Sequence, residues 1–150
     1  MTDLVLHSLA AGSMSLDTVE EITALNAVTA TAGLSLSQTQ AAALAASRGE
    51  ALASTGRIEF GHGVTEKLIL AFYTSPYLTK ETYADTLCAL TDLFYQLKNE
   101  TDDRVGDDEL LAEMRARFDG ECRGSFDLLA GDAMPAFVRA LHAKTEDADA

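Results

Sequence analysis

Apolar side chains recur along most of this chain at the spacing of one helix face. The most sustained run is Tyr83, Leu87, Leu90, Phe94 and Leu97, whose alternating steps of four and three residues trace a single stripe on a helix. A neighbouring row of Ala84, Cys88, Thr91 and Tyr95 widens that stripe. The pattern predicts a helix capped at Thr79, running to about Asn99, buried on two sides and central to the fold.

The same periodicity places other helices around it. Asp17 with Glu20 reads as a capping box that opens a helix carrying Val19, Ile22 and Leu25, ended by the stretch Thr29 to Gly33. Ser37 with Gln40 is a second capping box, followed by Ala41, Leu44, Ala45 and Leu52 on one face and by Gly56 as a C-terminal stop. The alanines of that helix permit close approach of a neighbour. A third helix is predicted from Val64 to Thr74, burying Leu68, Ile69 and Phe72, and broken at Ser75-Pro76, because the residue before proline is pushed out of the helical region. Asp107, Asp108 and Glu109 open another helix with acids in its first turn, where the helix dipole favours them. Leu111, Met114 and Phe118 are its buried stripe and Gly120 its end. Ser125 is expected to cap a short turn holding Phe126, Leu128 and Leu129. Asp132 is expected to start a last helix with Pro135 in its first turn and Met134, Phe137, Val138 and Leu141 facing inward. The fold class is therefore all-α, a compact bundle of about six helices in one domain spanning 1–150, with 1–14 and 145–150 frayed.

One segment departs from the helical period. In Arg57-Ile58-Glu59-Phe60-Gly61-His62-Gly63 the apolar residues alternate with polar ones, a strand-like period over very few positions. A single short extended segment near 57–61 cannot make a sheet, so it reads as a structured loop or one arm of a small ribbon.

Charge narrows the range of functions. The chain of 150 residues carries a formal net charge of −13. No Lys or Arg precedes Arg48, and Glu100 to Glu121 holds nine acids against three arginines. Such a surface repels phosphate backbones and anionic lipid heads, which disfavours nucleic-acid and membrane partners. No stretch approaches the roughly 20 apolar residues of a membrane-spanning helix. Leu4 to Gly12 is apolar but short, with no Lys or Arg before it, so it does not read as a secretory signal and a cytoplasmic setting is expected.

Candidate chemistry is sparse. Cys88 and Cys122 have no metal-type spacing; Cys88 reads as a packed residue, and Cys122 as a loop residue and the more accessible thiol. Placing the acids of Thr101 to Glu109 on a calcium loop around Gly106 puts Val105 and Ala112 where ligands are required, so the match fails and helix capping explains these acids. Nothing resembles a phosphate-binding loop or a dinucleotide fingerprint. Two clusters remain. Arg57, Glu59 and His62 sit beside two glycines, which read first as turn glycines with His62 solvated. Asp119, Cys122 and Arg123 lie in a glycine-punctuated loop from Gly120 to Gly124, where a thiol beside Arg123 could ionise more easily and act as a nucleophile. Such a thiol needs a histidine base, and His7, His62 and His142 are the candidates. No cofactor and no metal site is expected, a set such as Glu59, His62, Asp119 and Cys122 having no recognised ligand spacing.

Three stretches carry a resemblance as a set. They are Gly56-Arg-Ile-Glu-Phe-Gly-His-Gly63; Ser75-Pro-Tyr-Leu78 with Phe94-Tyr-Gln-Leu-Lys-Asn-Glu-Thr101; and Asp107-Asp-Glu-Leu-Leu111 leading into Phe118-Asp-Gly-Glu-Cys-Arg-Gly-Ser125. Over about Leu34 to Ala140 the chain resembles a family of small helical bacterial proteins of unknown function, mainly from anaerobic Gram-positive lineages. The resemblance implies a bacterial, intracellular setting and transfers no functional residue.

Three functions are consistent with these features. The leading one is a non-enzymatic interaction or regulatory protein that docks a protein partner through its acidic face. The alternative is a small enzyme or ligand binder whose site joins the Arg57–His62 segment to the Asp119–Ser125 loop around Glu59, His62, Asp119, Cys122 and Arg123. A homodimer completing its bundle through an exposed apolar helix face is the third.

Overall fold

The computed structural model describes residues 18–61 and 63–149. The described residues are helical with no strand among them. Residues 18–24 form α1; Asn26–Thr29 form α2, which tightens into a 3-10 turn over Ala30–Ala32. The remaining helices are α3 (Gln38–Thr55), α4 (Gly63–Phe72), α5 (Tyr83–Glu100), α6 (Asp107–Asp119), α7 (Phe126–Leu128) and α8 (Met134–Asp149). The expected cap Asp17, His7, His62 and residues 1–14 lie outside the described residues.

Local chemistry accounts for most of the boundaries. The Ser37 hydroxyl accepts from the Gln40 backbone N–H at 3.0 Å and the Gln40 side chain accepts from the Ser37 N–H at 2.9 Å, a complete capping box at the start of α3. Gly56 ends α3 in the left-handed conformation, φ 67°, which glycine adopts without a Cβ penalty. Beyond it Arg57 N–H closes the turn onto Leu52 O at 2.9 Å.

Besides a break at Leu25 between α1 and α2 and an end of α4 at Phe72 rather than Thr74, two boundaries differ from those the sequence predicts. Thr79 does not cap α5; its hydroxyl pairs with that of Thr82, 2.9 Å away, in a turn that precedes Tyr83. The last helix does not begin at Asp132. Phe126 to Asp149 is helical throughout, with one π turn over Leu129–Ala133. Pro135 supplies the reason: it has no N–H to give the preceding turn and its ring crowds the carbonyl four residues back. A widened turn immediately before it absorbs both defects without breaking the helix.

The predicted stripe of α5 forms the centre of the core. Tyr83, Leu87, Leu90, Phe94 and Leu97 are each at most 1% exposed, and Thr91, Leu93 and Tyr95 bury a second side. The principal packing partner of α5 is α3, through Ala41, Leu44, Ala45, Ala51 and Leu52.

Side-chain pairings fix the direction of each helix. Arg48 and Thr55 of α3 meet Glu59, Tyr95 and Asn99 near the end of α5, so α3 and α5 finish at the same pole. Lys67 of α4 pairs with Asp108 of α6 at 3.2 Å, and Arg115 donates to Ala71 O at 2.6 Å. Those two helices therefore run parallel from that pole to the opposite one. Arg117 reaches Ala133 O and His142 reaches Glu100 O, which returns α8 to the first pole. The result is an up-down bundle. One pole gathers the ends of α3 and α5 with the starts of α4 and α6. The other gathers the ends of α4 and α6 with the 120–125 turn.

Candidate functional site

The non-helical segment 57–61 lies at the first pole, and its alternation is inverted relative to a core strand. Ile58 is 86% and Phe60 95% exposed, while the charged residues between and before them point into pairs with the bundle. Glu59 Oε1 accepts from Arg48 Nη2 at 3.0 Å, Arg48 Nε at 3.2 Å and the Tyr95 hydroxyl at 2.7 Å. Arg48 Nη2 also donates to the carbonyls of Glu59 and Gly61. One guanidinium thus holds both a side chain and the backbone of the arm. Tyr95 is buried, and burial, followed by the Glu59 carboxylate, raises its hydroxyl well above the usual phenol range. Gly61 has φ +77°, so it is a turn glycine, as the sequence predicts, whereas Gly63 is the first residue of α4 rather than a turn glycine.

Arg57 binds the end of α5 and the loop after it. Its Nη2 donates to Asp103 Oδ1 at 2.6 Å and its Nη1 to Asn99 Oδ1 at 2.8 Å. The Arg57 bond holds the Asp103 carboxyl below the ordinary aspartate value and raises the guanidinium in turn. Lys98 is buried at 7% exposure, donates to Val105 O at 2.8 Å and pairs with Asp107 at 2.9 Å. The acids of 101–109 that suggest a calcium loop are therefore engaged by Arg57, Lys98 and Arg104 or lie in the first turn of α6. No group of three or more potential metal ligands occurs among the described residues.

The second cluster is a helix-ending corner. Asp119 Oδ1 accepts from the Ser75 hydroxyl at 2.7 Å, and Arg115 bridges Asp119 to Ala71 O and Thr74, joining the ends of α4 and α6. Gly124 N–H reaches Phe118 O at 2.7 Å with φ +81°. Arg123 is exposed, with φ 50°. Cys122 is not the accessible thiol: it is 3% exposed, whereas Cys88 is half-buried. Nor does its neighbourhood favour the thiolate. Burial raises its pKa, Glu121 and Asp132 add to the rise, and Arg117 offsets part of it. The reason for both corrections is the turn itself, which folds Cys122 inward beside Leu128, Asp132 and Ala133 and leaves Arg123 exposed.

The two clusters do not converge. Arg57 and Glu59 sit with Asp103 and Tyr95 at the pole where α6 begins, whereas Asp119, Cys122 and Arg123 follow its end. At 1.5 Å per residue, the 13 residues of α6 place roughly 20 Å between them. The described residues thus form no pocket joining Glu59 to Cys122. His142 is engaged elsewhere, with Arg104 at 2.8 Å and Glu100 O at 2.9 Å, so it is no base for the Cys122 thiol.

Sequence reasoning missed the residues that give the first pole its character. Tyr95 reads only as part of the row that widens the α5 stripe, Arg48 and Lys98 carry no local signal, and only their long-range partners reveal a clamp. The available signal was the alternation of Arg57-Ile58-Glu59-Phe60 next to a helix with no other cation.

These features define a class, an all-α bundle that displays an apolar arm at one pole. The chain belongs to a family of unknown function, DUF6323, whose model matches residues 21–147. That span extends beyond the Leu34 to Ala140 of the resemblance. No curated protein and no solved structure matches the chain. Among the described residues no helix is long and apolar enough to cross a membrane.

Proposed function

We propose that this protein is a non-enzymatic interaction or regulatory protein of a bacterial cytoplasm that docks a basic protein partner through its acidic surface, with Ile58 and Phe60 as the anchors. The observation that carries the reading is the inversion of the arm. Leaving two large apolar side chains in water forgoes about 1.5–3 kcal/mol each, and a fixed network of charge-assisted bonds from Arg48, Tyr95 and Asp103 holds them there. Isolated exposed apolar residues are common. Two of them on a clamped loop have the properties of interface anchors, which are rigid, bulky and fillers of a partner's pocket. The net charge of −13, with Glu66 and Glu109 in the first turns of the adjoining α4 and α6, favours a pocket rimmed by Lys or Arg.

The test is capture from extracts of the source cell by immobilised wild type and by an Ile58→Ser/Phe60→Ser variant, at low and high salt. A partner held by the wild type, weakened by salt and lost from the variant is expected. Equal retention by both proteins, or no partner at low salt where charge attraction is strongest, would remove the basis for this reading.

A further inference from the structure

The exposed arm is continuous with a furrow between α4 and α6. Lys67 borders both the depression beside Phe60 and an open groove of about 550 Å³. The groove is floored by Ala71, Leu111, Ala112 and Ala116, with half-exposed Leu70 on its wall. Small residues at these positions leave the space between two parallel helices unfilled. On its wall Lys67 pairs with Asp108, and Asp107 is taken by Lys98, so the acids left beside it towards the arm are Glu66 in the first turn of α4 and Glu109 in the first turn of α6. The far end is closed by Arg115, neutralised by Asp119.

We infer that this groove receives a basic amphipathic helix of the partner, lying along α4 and α6 with its end against Phe60. The inference rests on the docking reading above and adds the partner's secondary structure and chemistry. Two parallel helices with a furrow between them present the surface into which a third helix packs. The 10 residues of α4 span roughly 15 Å, nearly three helical turns, enough for apolar side chains at i, i+3 or i+4, and i+7 to enter together. Charge chooses the occupant. A second copy of a chain with net charge −13 brings acid against acid, whereas a helix flanked by Lys and Arg complements Glu66 and Glu109.

The experiment measures binding of a labelled Leu/Lys amphipathic peptide by fluorescence anisotropy. Its control is a peptide of the same composition with the leucines scattered round the helix. The variant is Ala112→Gln/Ala116→Gln, at two exposed helix positions where glutamine keeps the fold and the charge but fills the floor; circular dichroism verifies the fold. At least tenfold weaker binding of the scattered peptide, and at least tenfold weaker binding by the variant, are expected. Equal binding of the two peptides would mean charge attraction alone and overturn the groove. So would a variant as tight as wild type, or failure of the Leu/Lys helix to bind. An Ile58→Ser/Phe60→Ser protein that loses binding while the alanine variant keeps it would overturn the groove and leave the arm standing. Light scattering showing a dimer that the alanine variant dissociates would assign the groove to a second copy and equally overturn the inference.

Discussion

The hydroxyl of Tyr95 donates a 2.7 Å hydrogen bond to Glu59 Oε1, the same oxygen that Arg48 Nη2 reaches at 3.0 Å. A buried residue of the central helix and a cation of its packing partner thereby share one carboxylate on the arm. This sets the polarity of the segment: with Glu59 drawn inward, alternation forces Ile58 and Phe60 outward. Folding and display are linked through that one side chain, so changes to the clamp should alter the arm before they alter the bundle.

Tyr95→Phe should lower stability by roughly 1.5–3 kcal/mol, the range for a hydrogen bond to a charged group, and should increase protease cleavage within 57–61. Tyr83→Phe is the contrasting case. Tyr83 Oη is buried without a hydrogen-bond partner, the neighbouring Thr29 hydroxyl donating to Leu34 O at 2.8 Å. Its removal should therefore cost nothing or raise stability. Urea unfolding midpoints of the two variants measure the difference; equal losses would contradict the assigned roles.

Alkaline unfolding follows from the same residues. Burial raises both Tyr83 and Tyr95 above the ordinary phenol value, and Glu59 raises Tyr95 further. Their folded pKa values therefore exceed their unfolded ones, so stability is fully present below about pH 10, the unfolded phenol pKa, and declines as pH rises above it. Tyrosinate absorbance of the chain's four tyrosines should show Tyr83 and Tyr95 ionising together with loss of helical circular dichroism. Full ionisation with the helices intact would show that neither is held as described.

The helices were legible wherever local chemistry is self-sufficient. The α5 stripe, the Ser37 box and the Gly56 stop are set within a few residues, and the structure places them as predicted. The π turn was not, because Asp132 and Pro135 resemble a helix start and only the continuous packing of Leu129, Ala133 and Met134 reveals one helix. The candidate site was less legible still. Whether Cys122 is covered depends on where Leu128, Asp132 and Ala133 pack, and whether Glu59 is clamped depends on Arg48 and Tyr95, 11 and 36 residues away. Short-range pattern carries no information at those separations.

Thiol labelling separates the two cysteines. Cys88 is half-buried, whereas Cys122 is covered and its thiol is raised by burial, Glu121 and Asp132. Since the thiolate is the reacting species, iodoacetamide should modify Cys88 first in the native protein, with Cys122 following at the rate of unfolding. Mass spectrometry of digested peptides gives the order. Faster labelling of Cys122 would restore the reactive-thiol reading.

The Arg57–Asp103 pair has an acid limb. Arg57 holds the Asp103 carboxyl below its ordinary value, so its contribution is complete above the unfolded value of about 3.9 and is lost as pH falls through the lower folded one. Asp103 is half exposed, so the effect is modest and screened by salt. Asp103→Asn suits the comparison because asparagine tolerates the local φ of 58°. The melting temperature of wild type should exceed that of the variant at neutral pH and converge with it below about pH 4. A difference that persists in acid would show that the aspartate acts through backbone conformation rather than charge.

Gly124 tests whether the 120–125 turn is structural. Its φ of +81° disfavours any side chain, and a Cβ there would lie 2.4 Å from Tyr77 Cβ. Tyr77 cannot simply swing away, because the clash is at its Cβ and its ring packs edge-on against Phe118, centroids 6.5 Å apart. Relief therefore requires the turn to open, withdrawing Gly124 N–H from Phe118 O and uncovering Cys122. Gly124→Ala should destabilise the protein by at least about 1–3 kcal/mol, combining strain with overpacking, and should accelerate Cys122 alkylation more than Cys88 alkylation. Gly49→Ala is the control: that glycine lies within α3, with nothing within 4 Å of an added Cβ, so alanine should stabilise by roughly 0.5–1 kcal/mol. If Gly124→Ala instead matched the control, the turn would be free to relax, and the close fit of Tyr77 over it would not be what keeps Cys122 covered.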